Sequence, residues 1–144
     1  MPRKTDSNNP ADWLFIAESE LEGLRALAQQ ELAYTMCRSK LAEVVEKVMK
    51  AELIRLGWFL EKTHDLEKLL GELAARRSDL VIPFDPLCEE LAEVYFVDRY
   101  PGFELEDANW PTLRAEVEEV TRLLDTVKVP VAGSGPASPS TGLT

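Results

Sequence analysis

The only histidine of the chain, His64, is the first candidate for chemistry, and Asp65 follows it. An imidazole can act as a general base or bind a metal ion, but either role needs partner residues. Glu61 and His64 share the Glu-x-x-His spacing of di-iron bundles, which need that pair twice. The cysteines, Cys37 and Cys88, are far apart and add no zinc-ligand spacing. We therefore predict no metal site, and the local sequence favours a capping or packing role for His64.

Two lysines, Lys47 and Lys50, lie one turn apart in a predicted helix, with Glu43 and Glu46 one turn earlier. This spacing is typical of ion pairs between residues three and four apart on a solvated helix face. The same lysines could instead form a small polar patch that meets phosphate or a partner protein. The local sequence favours the ion pairs.

Tyr95, Arg99 and Tyr100 fall one helical turn apart near the end of another predicted helix. An arginine flanked by aromatic rings can stack and donate two parallel hydrogen bonds. It can equally extend from the core and bond the last carbonyl groups of its own helix. No glycine-rich phosphate loop and no Gly-x-Ser-x-Gly motif accompany these residues in the sequence.

These residues lie in or beside segments with helical periodicity, and the longest such segment is Leu32–Trp58. Apolar residues recur there at three- and four-residue spacing, which predicts the helix on which the others pack. Gly57 is expected to end this helix as a C-terminal cap. The other predicted helices run from Pro10 to about Leu27, from a cap at Thr63 or His64 to about Arg77, from Pro86 to Tyr100, and from a cap at Asn109 or Trp110 to about Val127.

Two segments are predicted to lack helix. Asp79–Asp85 has no partner strand, and Pro83 within it favours an extended linker. From Val129 onward the sequence has no charge and is rich in Pro, Gly and Ser, which predicts disorder. The predicted organisation is a mobile N-terminus at residues 1–9, an all-α up-down bundle of about five helices at 10–128, and a disordered tail at 129–144.

Composition limits the function classes further. A length of 144 residues with 45% hydrophobic content suits one domain with one core. The formal net charge of −10 opposes non-specific binding to nucleic acid, because phosphate contacts need clustered Lys and Arg. No apolar run reaches the roughly 18 residues of a membrane span, and no apolar stretch follows the basic N-terminus as in a secretory signal. We therefore expect a cytoplasmic protein whose two cysteines are buried free thiols.

Together these segments resemble the HEPN family, small helical domains named for higher eukaryotes and prokaryotes nucleotide-binding. The resemblance covers roughly Asp12–Val127. It rests on Glu46-Lys47-Val48-Met49-Lys50-Ala51, then Gly57, then Thr63-His64-Asp65-Leu66 with Leu69 and Leu70, then Tyr95-x-x-x-Arg99-Tyr100-Pro101.

The resemblance implies a short up-down helical bundle that forms a homodimer. It also implies a protein partner of the minimal nucleotidyltransferase type, with which HEPN proteins can form toxin–antitoxin pairs. Nucleotide binding has been proposed for some members, and no other cofactor is expected. The residues that would contact a nucleotide or the partner are Lys47, Lys50, His64, Asp65, Tyr95, Arg99 and Tyr100.

RNA-cutting members of the family use an Arg followed, after four to six residues, by a His. His64 would require an Arg at one of positions 57–59, and none is present. The nearest upstream arginine, Arg55, lies too far back. We therefore expect a non-catalytic module without catalytic residues. The alternative is a ribonuclease toxin with a degenerate site around Arg55, His64 and Arg99.

Overall fold

The computed structural model describes residues 7–92, 94 and 108–134. Within these ranges the chain forms five helices and no strand, which confirms the predicted all-α bundle. The helices are α1 Pro10–Gln30, α2 Tyr34–Arg55, α3 Leu66–Ala75, α4 Val81–Leu91 and α5 Trp110–Ser134. None of the helices in the described ranges is long and apolar enough to cross a bilayer.

The first helix begins and ends at local backbone signals. The Asn9 side chain accepts a hydrogen bond from the backbone N–H of Ala11, and Pro10 occupies the first helical position. Glu31 and Ala33 both adopt left-handed backbone angles, with φ of 56° and 58°. These two residues reverse the chain within a three-residue turn, so α1 and α2 are antiparallel neighbours. The central helix therefore starts at Tyr34 and not at the predicted Leu32.

The central helix α2 ends in a Schellman motif. Gly57 has a φ of 99°, and its N–H donates to the carbonyl of Ile54 at 3.0 Å. The N–H of Trp58 donates to the carbonyl of Leu53 at 2.9 Å. These two bonds are the pair that defines the motif, so the prediction that Gly57 terminates α2 is confirmed. Since α1, α3, α4 and α5 all pack against it, α2 is buried over most of its surface.

The segment predicted as an extended linker is helical. Helix α4 begins at Val81, five residues before the predicted start at Pro86, and contains Pro83 and Pro86. Pro83 is the third residue of α4, where a backbone N–H has no partner within the helix. Phe84 is fully buried, so its side chain fixes this turn against the core. The prediction was wrong because proline is tolerated in the first turn of a helix, and packing of the core outweighs the penalty at Pro86 further along α4.

The last helix also exceeds its predicted length. Helix α5 runs to Ser134, through Pro130, instead of ending near Val127. Val131 is buried against the core and supports this extra turn. Ser7, within the predicted mobile N-terminus, accepts a hydrogen bond through its carbonyl from the Trp13 indole. Residues 1–6, 93, 95–107 and 135–144 lie outside the described residues, and so does most of the tail that was predicted to be disordered.

The two cysteines lie in the core that the five helices share. Cys37 on α2 and Cys88 on α4 are free and fully buried, as predicted. Burial raises the pKa of the Cys88 thiol to about 12. Both residues therefore act as small apolar side chains of the core.

Candidate functional site

A buried carboxylate, Glu46 on α2, is the centre of the polar cluster that contains the predicted site residues. Its Oε2 accepts a hydrogen bond from Nζ of Lys50 at 2.7 Å, and its Oε1 lies 2.9 Å from Nδ1 of His64. Lys50 is 3% exposed and Glu46 is 7% exposed. The four-residue spacing predicted an ion pair, but on a solvated face. The structure corrects that prediction, because the pair is inside the protein.

The beginning of α1 covers this ion pair. Nζ of Lys50 lies 5.2 Å from the ring centroid of Trp13, a distance at which an ammonium is attracted to the aromatic face. The indole N–H of Trp13 donates to the carbonyl of Ser7 at 2.8 Å, which fixes the ring over the lysine. A buried ammonium needs such compensation, since it has lost its hydration.

His64 connects the loop after α2 to the middle of that helix. Its ring is 62% exposed, while Nδ1 reaches back to the buried Glu46. The neighbouring residue, Asp65, caps α3 by accepting a hydrogen bond from the N–H of Lys68 at 3.2 Å. The predicted cap at Thr63 or His64 is thus one or two residues too early. Thr63 instead accepts a hydrogen bond from the N–H of Asp65, and His64 is left available to Glu46.

Lys47 belongs to a separate polar network between α1 and α2. Its Nζ donates to Oε1 of Glu20 on α1 at 2.7 Å. The other oxygen of Glu20 accepts from Lys40, which also bonds Glu43 at 3.0 Å. Lys47 and Lys50 are therefore each paired with a carboxylate. A phosphate group bound by either lysine would have to compete with Glu20 or Glu46.

The arginine considered for a ribonuclease site, Arg55, is held at the end of α2. Its Nε and Nη2 each lie 2.9 Å from one oxygen of Glu52, a bidentate pair. Glu52 is only 4% exposed, and it also accepts a hydrogen bond from the hydroxyl of Ser78 at 3.3 Å. The hydrogen bond that Arg55 donates to Glu52 raises the pKa of the Arg55 guanidinium. This cluster joins α2 to the turn between α3 and α4.

The structure brings together only part of the predicted site. Lys50 and His64 meet through Glu46, and Asp65 lies beside them as the α3 cap. Tyr95, Arg99 and Tyr100 lie outside the described residues. Sequence reasoning missed Glu46 as the centre, although its spacing from Lys50 was a visible signal. It also missed Trp13, for which the sequence offers no signal, because the contact depends on how α1 crosses α2.

A protein-family model for the HEPN domain matches residues 10–129, which is most of the chain. The chain belongs to the HEPN family. Searches of curated proteins and of solved structures found no significant match. Among the residues that the structure describes, no group of three or more His, Cys, Asp or Glu side chains is placed to hold a metal ion.

A second polar cluster in this HEPN domain lies where α2, α4 and α5 meet. Arg38 on α2 donates from Nη2 to the backbone carbonyl of Glu90 at 3.2 Å and to its carboxylate at 3.3 Å. Glu116 on α5 is partly buried nearby. Burial and the charge of Glu90 raise the pKa of Glu116 to about 7, against a smaller opposing effect of Arg38.

The raised pKa of Glu116 makes the stability of the HEPN domain depend on pH. The ordinary pKa of this side chain is 4.5. The contribution of Glu116 to the free energy of unfolding is therefore most favourable below pH 4.5 and is lost as the pH rises through about 7. Full burial would make this loss about 3 kcal/mol, and partial exposure reduces the expectation to about 1–2 kcal/mol. Glu116→Gln should therefore stabilise the protein at about pH 8 and have little effect at about pH 4.5.

Urea denaturation of the wild type and Glu116→Gln at both pH values measures this difference. Glu118→Gln is the matched control, because it removes an equivalent charge from the exposed side of α5. A gain at high pH that the control reproduces would contradict the assignment to Glu116.

Proposed function

We propose that this HEPN domain is a non-catalytic interaction module of the cytoplasm that forms a homodimer and binds a protein partner of the minimal nucleotidyltransferase type. The observation that carries the non-catalytic part is the engagement of the two candidate catalytic side chains. His64 contacts the buried carboxylate of Glu46, and Arg55 is bonded through two nitrogens to the buried carboxylate of Glu52. Both side chains hold elements of the fold together.

The chemistry of RNA cleavage supports the same proposal. A metal-free ribonuclease needs a base for the attacking hydroxyl and a cation that stabilises the charge growing on the phosphate. If Arg55 left Glu52 to bind a phosphate, it would leave a buried carboxylate without its cation. The Arg55 side chain is 28% exposed, so breaking this pair costs less than the roughly 3–5 kcal/mol that applies when both partners are buried. The net charge of −10 adds a long-range repulsion of RNA.

A ribonuclease toxin is the second candidate, and one observation favours it. The exposed ring of His64 is held through Nδ1 by a carboxylate, an arrangement that orients an imidazole for general-base catalysis. In this alternative His64 is the base and Arg55 or Arg99 supplies the cation.

Nucleotide binding is a secondary element of the first proposal. The phosphates of a nucleotide would compete with the carboxylates that are paired to Lys47 and Lys50.

Native mass spectrometry of the protein purified gently from its own cells tests the proposal. We expect a homodimer that carries a second protein, and a retained nucleotide would appear in the same spectrum. A bare monomer would contradict both the dimer and the partner.

An RNA cleavage assay separates the two candidate functions. We expect no cleavage by the wild type. Cleavage that disappears in His64→Ala and persists in Lys68→Ala would overturn the non-catalytic proposal. Lys68 is a suitable control because it lies in the same region and its side chain pairs at the surface with Glu61.

A further inference from the structure

A groove runs between the outer faces of α1 and α5, and its volume is about 460 Å³. Two contacts show that the helices bordering it are antiparallel. Nη2 of Arg25 lies 2.7 Å from the Thr121 hydroxyl, and Nζ of Lys128 lies 2.9 Å from the carboxylate of Glu18. A groove between two antiparallel helices has the shape that receives a third helix.

The groove has an apolar floor and an exposed aromatic ring. Leu21 and Leu124 line it from the two helices and continue into the core. Phe15, which also lines the groove, is 74% exposed. Phe15 is not part of the buried core of the domain. Aromatic side chains beside a groove are the residues that most often anchor protein interfaces.

The walls of the groove carry unbalanced negative charge. Glu22 on α1 and Asp125 on α5 make no salt bridge with any residue of the described ranges. The nearby cations are already engaged, since Arg25 bonds Glu118 and Lys128 bonds Glu18, while the charge of Asp125 also acts on Lys128 without a direct contact. A segment that fills the groove must therefore bring positive charge to these two carboxylates.

This charge pattern decides among the candidate occupants. A symmetric contact between two copies through this groove would bring the acidic walls of one copy to those of the other. Residues 135–144 contain no Lys or Arg, and residues 1–6, which contain Arg3 and Lys4, are too few to form a helix that fills the groove. A basic partner protein is the occupant that satisfies both the charge and the shape.

We propose that this α1–α5 groove docks a helix of a partner protein whose apolar face is flanked by Lys or Arg. In the complex, Phe15 packs on the apolar face, and Glu22 and Asp125 pair with the flanking cations. The inference rests on the proposed function as an interaction module, for which it supplies the docking surface and the chemistry of the partner.

A designed peptide can test the groove without knowledge of the natural partner. The probe is a synthetic helix of about 18 residues with Leu at the spacing of one helix face and Lys on both flanks. A peptide of the same composition in scrambled order is its control. Binding to the full chain is measured by titration calorimetry, and the contact surface is mapped by NMR shifts of backbone amides. We expect the patterned peptide to shift residues around Phe15, Glu22 and Asp125 and to bind about tenfold more tightly than the scrambled one.

Matched variants decide whether the groove itself is recognised. Phe15→Ser, and separately the pair Glu22→Lys and Asp125→Lys, should each weaken binding of the patterned peptide about tenfold. The control pair Glu67→Lys and Asp79→Lys changes the net charge equally at exposed sites in and after α3, and it should weaken binding much less. Equal weakening by both charge pairs, or equal binding of both peptides, would reduce the effect to general attraction of a basic peptide and overturn the proposal.

Two further measurements keep this inference separate from the proposed function. If Phe15→Ser converts a dimer into monomers in sedimentation, a second copy occupies the groove and the proposed occupant is wrong. If the groove variants retain the natural partner in native mass spectrometry as the wild type does, the interaction module stands and this docking surface fails. RNA cleavage that depends on His64 would instead overturn the proposed function while leaving the peptide result intact.

Discussion

Replacing Lys50 by Met is expected to lower the free energy of unfolding by about 3–5 kcal/mol. The substitution keeps most of the apolar stem of the side chain and removes its ammonium. Glu46 then stays inside the protein with only His64 beside it. A buried carboxylate that has lost its cation destabilises the folded state by more than the intact ion pair stabilised it. Urea denaturation at neutral pH, followed by circular dichroism, measures the change.

Lys47→Met is the matched control for this prediction. It is the same substitution on the same helix, one turn earlier, and it breaks a pair with Glu20 that is closer to solvent. We expect a loss of about 1 kcal/mol or less. Equal losses in the two variants would contradict the view that burial sets the importance of Lys50. The double variant Lys50→Met with Glu46→Leu should recover much of the loss, because it leaves no isolated buried charge.

Phe84→Ala is expected to lower the free energy of unfolding by about 3–5 kcal/mol. Phe84 is fully buried in the first turns of α4, and its removal leaves a cavity that the neighbouring helices can fill only in part. Thermal and urea denaturation measure the loss.

Ile82→Ala provides the comparison within the same turn of α4. Ile82 is 82% exposed, so its truncation should change the free energy of unfolding by about 0.5 kcal/mol or less. Two small effects would fit the extended linker that the sequence suggested for Asp79–Asp85. A large loss at Phe84 alone would show that this segment is part of the packed bundle.

The cluster around Glu46 gives a structural role to Lys50 and His64, two residues of the segments that suggested the HEPN family. Lys50 and His64 are separated by a helix end and a loop, yet both contact one carboxylate. Through them Glu46 connects α2 to the start of α3, and Trp13 adds the start of α1. Substitution of His64 therefore affects both the fold and any chemistry at this site. For that reason, activity measurements on His64→Ala need a parallel measurement of stability.

Signals that act within one or two helical turns were readable from the sequence. Asn9 and Pro10 begin α1 as predicted, and Gly57 ends α2 as predicted, because each acts on backbone groups only a few residues away. The apolar stripes placed Cys37 and Cys88 in the core, because apolar residues that recur at helical spacing mark a buried face. The order of short motifs along the chain was enough to indicate the HEPN family.

Contacts between distant segments were decided only by the tertiary structure. The sequence predicted no helix around Pro83 and ended α5 before Pro130, because local propensity counts proline as a break. In the fold, Pro83 lies in the first turn of α4, where proline costs little, and burial of Val131 outweighs the cost of Pro130 in α5. Phe84 and Val131 continue the three- and four-residue apolar spacing of their helices, but the prediction gave precedence to proline. Glu46 meets His64 across a loop, and Lys47 meets a carboxylate of α1. These pairings depend on how the helices cross, which periodicity does not specify, so the sequence identified the polar residues and the packing of the helices selected their partners.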